Sequence, residues 1–117
     1  MESANRSGIN SEKLPLPLKE AVQLFTQRKF KHSLELLEQL LSSGELSDKD
    51  RRLVEGLYQV IDGTRLLENY KLEEGFKNLR AGYIKLKTFY PRYKDIYLAK
   101  FLEVLEDSLL ELRTFIK

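Results

Sequence analysis

Apolar residues recur along most of the chain at the spacing of one helix face. Phe30, Leu34, Leu37 and Leu41 follow one another at intervals of four, three and four residues, which is the helical period. No stretch of strand-like length alternates between apolar and polar residues. The pattern therefore indicates an all-α fold with five helices, which we predict over residues 18–27, 30–42, 48–68, 72–89 and 96–115.

The segments between these helices are short, which favours antiparallel packing of neighbours. We expect a single compact bundle of about five helices, formed by residues 14–117. Residues 1–13 are rich in Ser, Asn and charge, so we predict that they form a flexible polar tail. The predicted core consists of Leu34, Leu37, Leu57, Val60, Leu79, Leu86, Leu102, Leu105 and Leu109.

Local signals mark several helix boundaries. The stretch Leu14-Pro15-Leu16-Pro17 predicts an extended lead-in, because proline disfavours a helical residue before it. Ser47 and Asp50 have the three-residue spacing of a capping box at the start of the third helix,. Pro91 interrupts the chain after the fourth helix,.

Two pairs of glycines lie inside predicted helices. Gly56 and Gly63 in the third helix are seven residues apart, as are Gly75 and Gly82 in the fourth. Each glycine costs about 1 kcal/mol relative to alanine in a helix interior. We interpret the matched spacing as two smooth faces on which the third and fourth helices cross closely. The alternative interpretation is that the missing side chains open a ligand pocket.

Composition excludes several classes of site. The 117 residues contain no cysteine and one histidine, His32, which excludes disulfides, thiolate chemistry and a multi-histidine metal site within one chain. No segment has the apolar length needed to span a bilayer,. Residues 1–13 lack the apolar core of a secretory signal,. We therefore expect a cytoplasmic protein that does not act on membranes.

Four short motifs occur in order along the chain. They are the pair Phe25 and Phe30, which leads into Ser33-Leu34-Glu35-Leu36-Leu37-Glu38-Gln39-Leu40-Leu41; then Gly56-Leu57-Tyr58-Gln59; then Gly75-Phe76-Lys77-Asn78-Leu79; then Tyr90-Pro91-Arg92-Tyr93-Lys94-Asp95. In this order and spacing, residues 25–112 resemble the bacterial and archaeal family called domain of unknown function 309. The resemblance implies a small helical bundle, and the family's name records that no function is assigned.

The chain departs from that family at two positions. The family's histidine and tryptophan correspond to Leu34 and Leu41, whereas Glu35 and Glu38 keep their carboxylates. His32 does not replace the lost nitrogen ligand, because two positions along a helix lie about 200° apart. Residues 29–37 also resemble a tetratricopeptide-type hairpin, although a period of about 34 residues is not sustained.

The carried-over carboxylates define the first candidate site. Glu35 and Glu38 are three residues apart and so neighbour each other on the second helix,. If the second and third helices pack together, Gln59 could meet them. Such a group could hold a divalent cation or share a proton. The alternative is that the glutamates are solvated or make structural hydrogen bonds, and we expect His32 to be a solvated surface residue.

A basic and aromatic segment is the second candidate. Residues 71–100 carry eight basic and three acidic side chains, a net charge of +5, whereas the whole chain has +2. Positive side chains bind phosphate and exposed aromatic rings stack on bases. The candidate anion or nucleic-acid contacts are Lys77, Arg80, Lys87, Arg92, Lys94 and Tyr93. The alternatives are an anionic protein partner or an ordinary solvated helix face.

The fifth predicted helix carries a second apolar edge. Val104, Leu110, Phe115 and Ile116 fall outside its main stripe. An amphipathic helix can bury such an edge on a partner, and a homodimer is the commonest outcome. We therefore predict a non-enzymatic helical protein-interaction module that binds a protein partner or itself.

Two other functions stay open: a nucleic-acid-associated protein using residues 77–100, and a carboxylate-based metal or acid–base site at Glu35 and Glu38. The sequence contains no phosphate-cradling glycine loop, nucleophile elbow or histidine-rich metal motif,. We accordingly predict no catalytic residues, no cofactor and no bound metal.

Overall fold

A computed structural model describes residues 13–116 of the chain. Within that range the elements are α1 (Leu16–Thr26), α2 (Phe30–Ser43), α3 (Asp48–Glu68), α4 (Leu72–Lys87), β1 (Arg92–Tyr93), β2 (Ile96–Tyr97) and α5 (Ala99–Arg113). The predicted all-α fold is confirmed. The polar tail predicted over residues 1–13 lies, apart from Lys13, outside the described residues.

Each helix packs on the helix that precedes it, and α3 with α4 forms the most extensive pair. All nine residues predicted for the core are buried. Leu18, Leu37, Leu53, Ile61 and Leu86 are among the largest side chains with almost no exposed surface. The core is therefore continuous through the successive helical layers, as the periodic apolar faces require.

The connection between α4 and α5 differs from the prediction. We expected the fourth helix to reach residue 89 and the fifth to begin at residue 96. Instead α4 ends at Lys87, and residues 92–97 form an antiparallel hairpin in which Arg92 pairs with Tyr97 and Tyr93 with Ile96. Strands of two residues are too short to leave a visible alternation in the sequence. The turn places Lys94 at φ +52°, and the Tyr90–Pro91 peptide is cis.

The start of α3 is half of the predicted capping box. The Ser47 hydroxyl accepts a hydrogen bond from the backbone N–H of Asp50 at 3.1 Å, which satisfies one free donor of the first turn. The Asp50 carboxylate does not complete the box. It accepts hydrogen bonds from Tyr93 and Lys94 of the hairpin instead. The local capping pattern therefore did not predict this long-range contact.

The glycines lie where α3 and α4 cross. A β-carbon added to Gly82 would stand 2.6 Å from the carbonyl oxygen of Gly56, and one added to Gly63 would stand 2.9 Å from that of Gly75. Real side chains do not approach a backbone oxygen so closely. The close-crossing interpretation is therefore confirmed, and the space that the glycines leave is filled by the facing helix.

The hairpins α1–α2 and α3–α4 turn in the same way. Arg28 and Tyr70 both adopt φ +63° after the preceding helix. In each turn the next backbone N–H donates to a carbonyl five residues earlier, Lys29 to Leu24 at 2.8 Å and Lys71 to Leu66 at 2.9 Å, which is the Schellman arrangement. The two turns are 42 residues apart (70 minus 28), so hairpin geometry repeats without the tetratricopeptide period.

The hairpin and α5 pack against α1 and the residues just before it. The Phe25 and Phe101 rings meet edge to face, with centroids 6.4 Å apart. Asp95, in the hairpin turn, forms an ion pair with Lys19 and accepts a hydrogen bond from the backbone N–H of Leu14. These contacts join α1 to the hairpin and α5, which closes the array of helices into a bundle.

Candidate functional site

The predicted polar cluster does not form as expected. Glu35 and Glu38 are exposed on α2. The residue of α3 that meets them is Tyr58, whose hydroxyl donates to Glu38 at 3.0 Å. Gln59 faces α4, where its amide oxygen accepts a hydrogen bond from Lys85 Nζ at 2.7 Å. The expected meeting of Gln59 with the two glutamates was therefore wrong.

The residues around Glu35 and Glu38 do not form a group of metal ligands within residues 13–116. Burial and the adjacent Glu38 raise the pKa of Tyr58, which keeps its hydroxyl protonated as a donor,. Between residues 13 and 116, no group of three or more His, Asp or Glu side chains is arranged to hold a metal ion. His32 is exposed, as predicted, and Leu34 is buried in the core.

The structure disperses the six predicted anion contacts. Lys77 and Arg80 are exposed on α4, and Lys87 lies over the Tyr83 ring at 5.9 Å. Lys94 and Tyr93 are bound to Asp50 and so contribute to the fold. Two of the six lie beside other cations. Arg80 shares a pocket with Arg113 of α5, and the hairpin brings Arg92 beside Lys49 and Arg52 of α3 in an open pocket.

Asp50 is the centre of a half-buried polar cluster. Its side chain is only 11% exposed. Tyr93 donates its hydroxyl to Oδ1 at 2.7 Å, and Lys94 Nζ donates to Oδ2 at 3.0 Å. Burial, together with the bond to Asp50, raises the pKa of Tyr93 to about 12. A buried carboxylate needs such partners, and the cluster fixes the hairpin against the start of α3.

A groove runs between α4 and α5 on the outer surface. It consists of two adjoining pockets of about 480 and 400 Å³ that share Tyr83 and Glu106. Burial and the Glu106 carboxylate raise the pKa of Tyr83. Two apolar side chains in the groove are open to solvent, Ile84 at 48% and Leu110 at 56% exposure.

The predicted second edge of α5 is divided between two faces. Val104, Leu110 and Phe115 are exposed, and Ile116 is partly buried. Leu110 lines the groove with α4. Val104 is six residues away, which is about 120° around the helix, and it does not line the groove. The predicted apolar edge is therefore divided. Leu110 lies in the concave groove, Val104 lies on another face of α5, and Phe115 and Ile116 lie beyond the end of the helix at Arg113.

Sequence reasoning missed the position of Lys49 and Arg52 beside the hairpin. They lie in the run Asp48-Lys49-Asp50-Arg51-Arg52, where acidic and basic residues nearly balance, so no local charge excess marked them. The excess of positive charge appears only in the folded chain, where Arg92 and the aromatic rings of residues 89, 90 and 93 lie beside Lys49 and Arg52.

Comparison with known proteins gives no relative for this chain: no family model, curated protein or solved structure matches it. Membership of the domain of unknown function 309 family therefore stays a prediction. None of the helices described between residues 13 and 116 combines the length and apolar character needed to cross a membrane.

Proposed function

We propose that this chain is a non-enzymatic helical interaction module that pairs with a second copy of itself through the groove between α4 and α5. The proposal rests on Ile84 and Leu110, which stand about half exposed in a concave surface. A concave apolar strip with a polar rim is the usual anatomy of an interface centre. Burying both side chains on a partner would remove them from water.

The charges along the groove favour a second copy as the partner. Arg80 and Arg113 line the end that contains Leu110, Glu103 lines the other end beside Lys87, and Glu106 lies between them because both pockets share it. In a twofold dimer the same patch meets itself in reverse. An antiparallel copy would therefore set Arg80 and Arg113 of one chain opposite Glu103 of the other, which is electrostatically complementary.

The test is the mass in solution of the full chain and two matched variants. Light scattering after size-exclusion chromatography should give a mass near twice 13.7 kDa at high protein concentration. Leu110→Glu places a charge in the apolar strip, so we expect a monomer at the same concentration. Val104→Glu is the matched control, because Val104 is equally exposed on the same helix but lies outside the groove. It should leave the dimer intact.

Exchanging the charges of Arg113 and Glu103 distinguishes a specific interface from non-specific association. Arg113→Glu alone and Glu103→Arg alone should each weaken the dimer, and the double variant should restore it if the two ends meet. Each reversal should raise the dissociation constant about tenfold. A wild-type chain that is monomeric at every accessible concentration would sink the proposal, as would equal effects of Leu110→Glu and Val104→Glu.

Within this proposal, we also infer a distant relation to the domain of unknown function 309 family and a cytoplasmic location. The first is supported by the ordered motifs, among them Gly75, which packs against Gly63 across the helix crossing. The second is supported by the cysteine-free composition, which suits a reducing compartment,.

A further inference from the structure

An open pocket lies at the end of the molecule where α3 begins and α4 ends. Its volume is about 410 Å³, which is within the range of small-molecule sites. Three parts of the chain form its wall: Lys49 and Arg52 of α3, residues 88–90 after α4, and Arg92 and Tyr93 of the hairpin. It adjoins the α4–α5 groove, with which it shares Tyr90, but its cations Lys49, Arg52 and Arg92 do not line that groove.

Positive charge exceeds negative charge in this pocket. Within residues 13–116, no carboxylate lies within 4 Å of Lys49, Arg52 or Arg92, whereas Lys94 is paired with Asp50. Asp48, the other acid in the first turn of α3, does not line the pocket, whereas all three cations do. Because the cations come from two separate elements, their convergence is a product of the fold.

Arg92 is held in position before any ligand arrives. Its Nε donates to the carbonyl oxygen of Lys94 at 2.8 Å, and its guanidinium lies over the Tyr97 ring at 5.4 Å from the centroid. These contacts leave guanidinium N–H groups available. A planar guanidinium can give two parallel hydrogen bonds to a phosphate, and a fixed one loses little entropy when it does so.

Aromatic rings stand beside the cations. Phe89 and Tyr93 both line the pocket, and their ring centroids are 4.6 Å apart. Tyr90 is 56% exposed at the rim. Exposed aromatic rings beside basic side chains bind nucleobases by stacking while the cations hold the phosphate. Tyr90 is therefore accessible to a planar group that binds in the pocket.

We propose that this pocket binds a nucleotide, with its phosphate between Arg52, Arg92 and Lys49 and its base against Tyr90. The recognised chemistry is a phosphate joined to a planar base. It can come from a free nucleotide or from one unit of a single strand. The Asp50 cluster has a positioning role, because it anchors Tyr93 and Lys94, the two residues that follow Arg92 in the hairpin.

Calorimetric titration at low salt tests the proposal with four probes: adenosine monophosphate, adenosine, inorganic phosphate and a short single-stranded oligonucleotide. Adenosine monophosphate should bind at least about tenfold more tightly than adenosine, because the cations act on the phosphate. Tyr90→Ala should weaken that nucleotide about tenfold and leave inorganic phosphate unchanged. If the oligonucleotide binds much more tightly than the mononucleotide and weakens steeply with salt, the source is a single strand.

Arg52→Glu should weaken both nucleotide probes at least about tenfold. Arg92→Gln is an independent second variant, on the hairpin. Lys31→Glu is the control, because Lys31 is exposed on α2, does not line the pocket and undergoes the same charge reversal. Circular dichroism establishes that each variant is folded. The proposal is overturned if neither nucleotide probe binds at millimolar concentration, or if Lys31→Glu weakens binding as much as Arg52→Glu.

Discussion

At the residue scale, Asp50 shows how one side chain can belong to a local and a distant structure at once. Its backbone N–H is capped by Ser47, three residues earlier, while its carboxylate binds Tyr93 and Lys94 more than forty residues later. A buried charge contributes stability only when its partners are in place. The hydrogen bond from Tyr93 is therefore open to a direct test by pH.

Replacing Tyr93 should change how stability depends on pH. The pKa of Tyr93 is about 12 in the folded chain and about 10 in an unfolded chain. The contribution is therefore fully present below about pH 10 and is lost as the pH rises towards about 12. Tyr93→Phe should lower the free energy of unfolding by about 1–3 kcal/mol at neutral pH, and the deficit should shrink above about pH 10.

Urea unfolding followed by circular dichroism at about pH 8 and about pH 11 measures this deficit. Tyr70→Phe is the control, because Tyr70 is 90% exposed, and it should change the free energy of unfolding by less than about 0.5 kcal/mol at either pH. A deficit for Tyr93→Phe that grows with pH would contradict the assignment.

At the scale of elements, the α3–α4 pair depends on the absence of side chains. Gly82 faces the Gly56 carbonyl and Val60, and Gly63 faces Gly75 and Leu79. Two helices can approach this closely only when both surfaces are smooth at the crossing. The glycines lower intrinsic helix propensity, and the extensive packing between the two helices compensates for that loss.

Adding one methyl group at Gly82 should therefore destabilise the fold. An alanine Cβ would lie 2.6 Å from the Gly56 carbonyl oxygen and 2.7 Å from Val60 Cγ2. Backbone atoms cannot move aside cheaply, so Gly82→Ala should lower the free energy of unfolding by about 1–3 kcal/mol despite its better helix propensity. Lys77→Ala, on the exposed face of α4, is the matched control and should change stability little. Thermal unfolding that shows Gly82→Ala at or above wild-type stability would refute the close crossing.

At the scale of the whole molecule, Asp95 connects the hairpin turn to α1 and the segment before it. It binds Lys19 and the Leu14 N–H, which is 81 residues away in sequence. The Lys19 contact leads among the causes that hold the pKa of Asp95 below its ordinary value. The stabilisation is therefore present above the unfolded aspartate pKa and is lost as the pH falls through the folded one.

Asp95→Asn should lower the free energy of unfolding at neutral pH by about 1 kcal/mol, a modest loss because both partners are partly exposed. The difference from wild type should shrink as the pH falls below the unfolded aspartate pKa of about 3.9. Urea titrations at about pH 7 and about pH 3 measure it, and Asp107→Asn on exposed α5 provides the control. An equal deficit at both pH values would show that Asp95 acts through something other than its charge.

The sequence predicted the helical layers because each helix must bury its own apolar stripe. All nine predicted core residues are buried, and the glycine spacing predicted the α3–α4 crossing. These features are local, since a periodicity of 3.6 residues is written within each segment. The predicted helix ends at residues 89 and 96 were wrong, because strands of two residues have no period to detect.

Only the tertiary structure decided which side chains meet. It paired Gln59 with Lys85 and left Tyr58 to meet Glu38. It also placed Arg92 beside Lys49 and Arg52, which are forty or more residues earlier in the chain. Periodicity determines which face of a helix is buried, but rotation and register against the neighbouring helix determine the partner. Those depend on packing summed over the whole bundle, and no single segment carries that information.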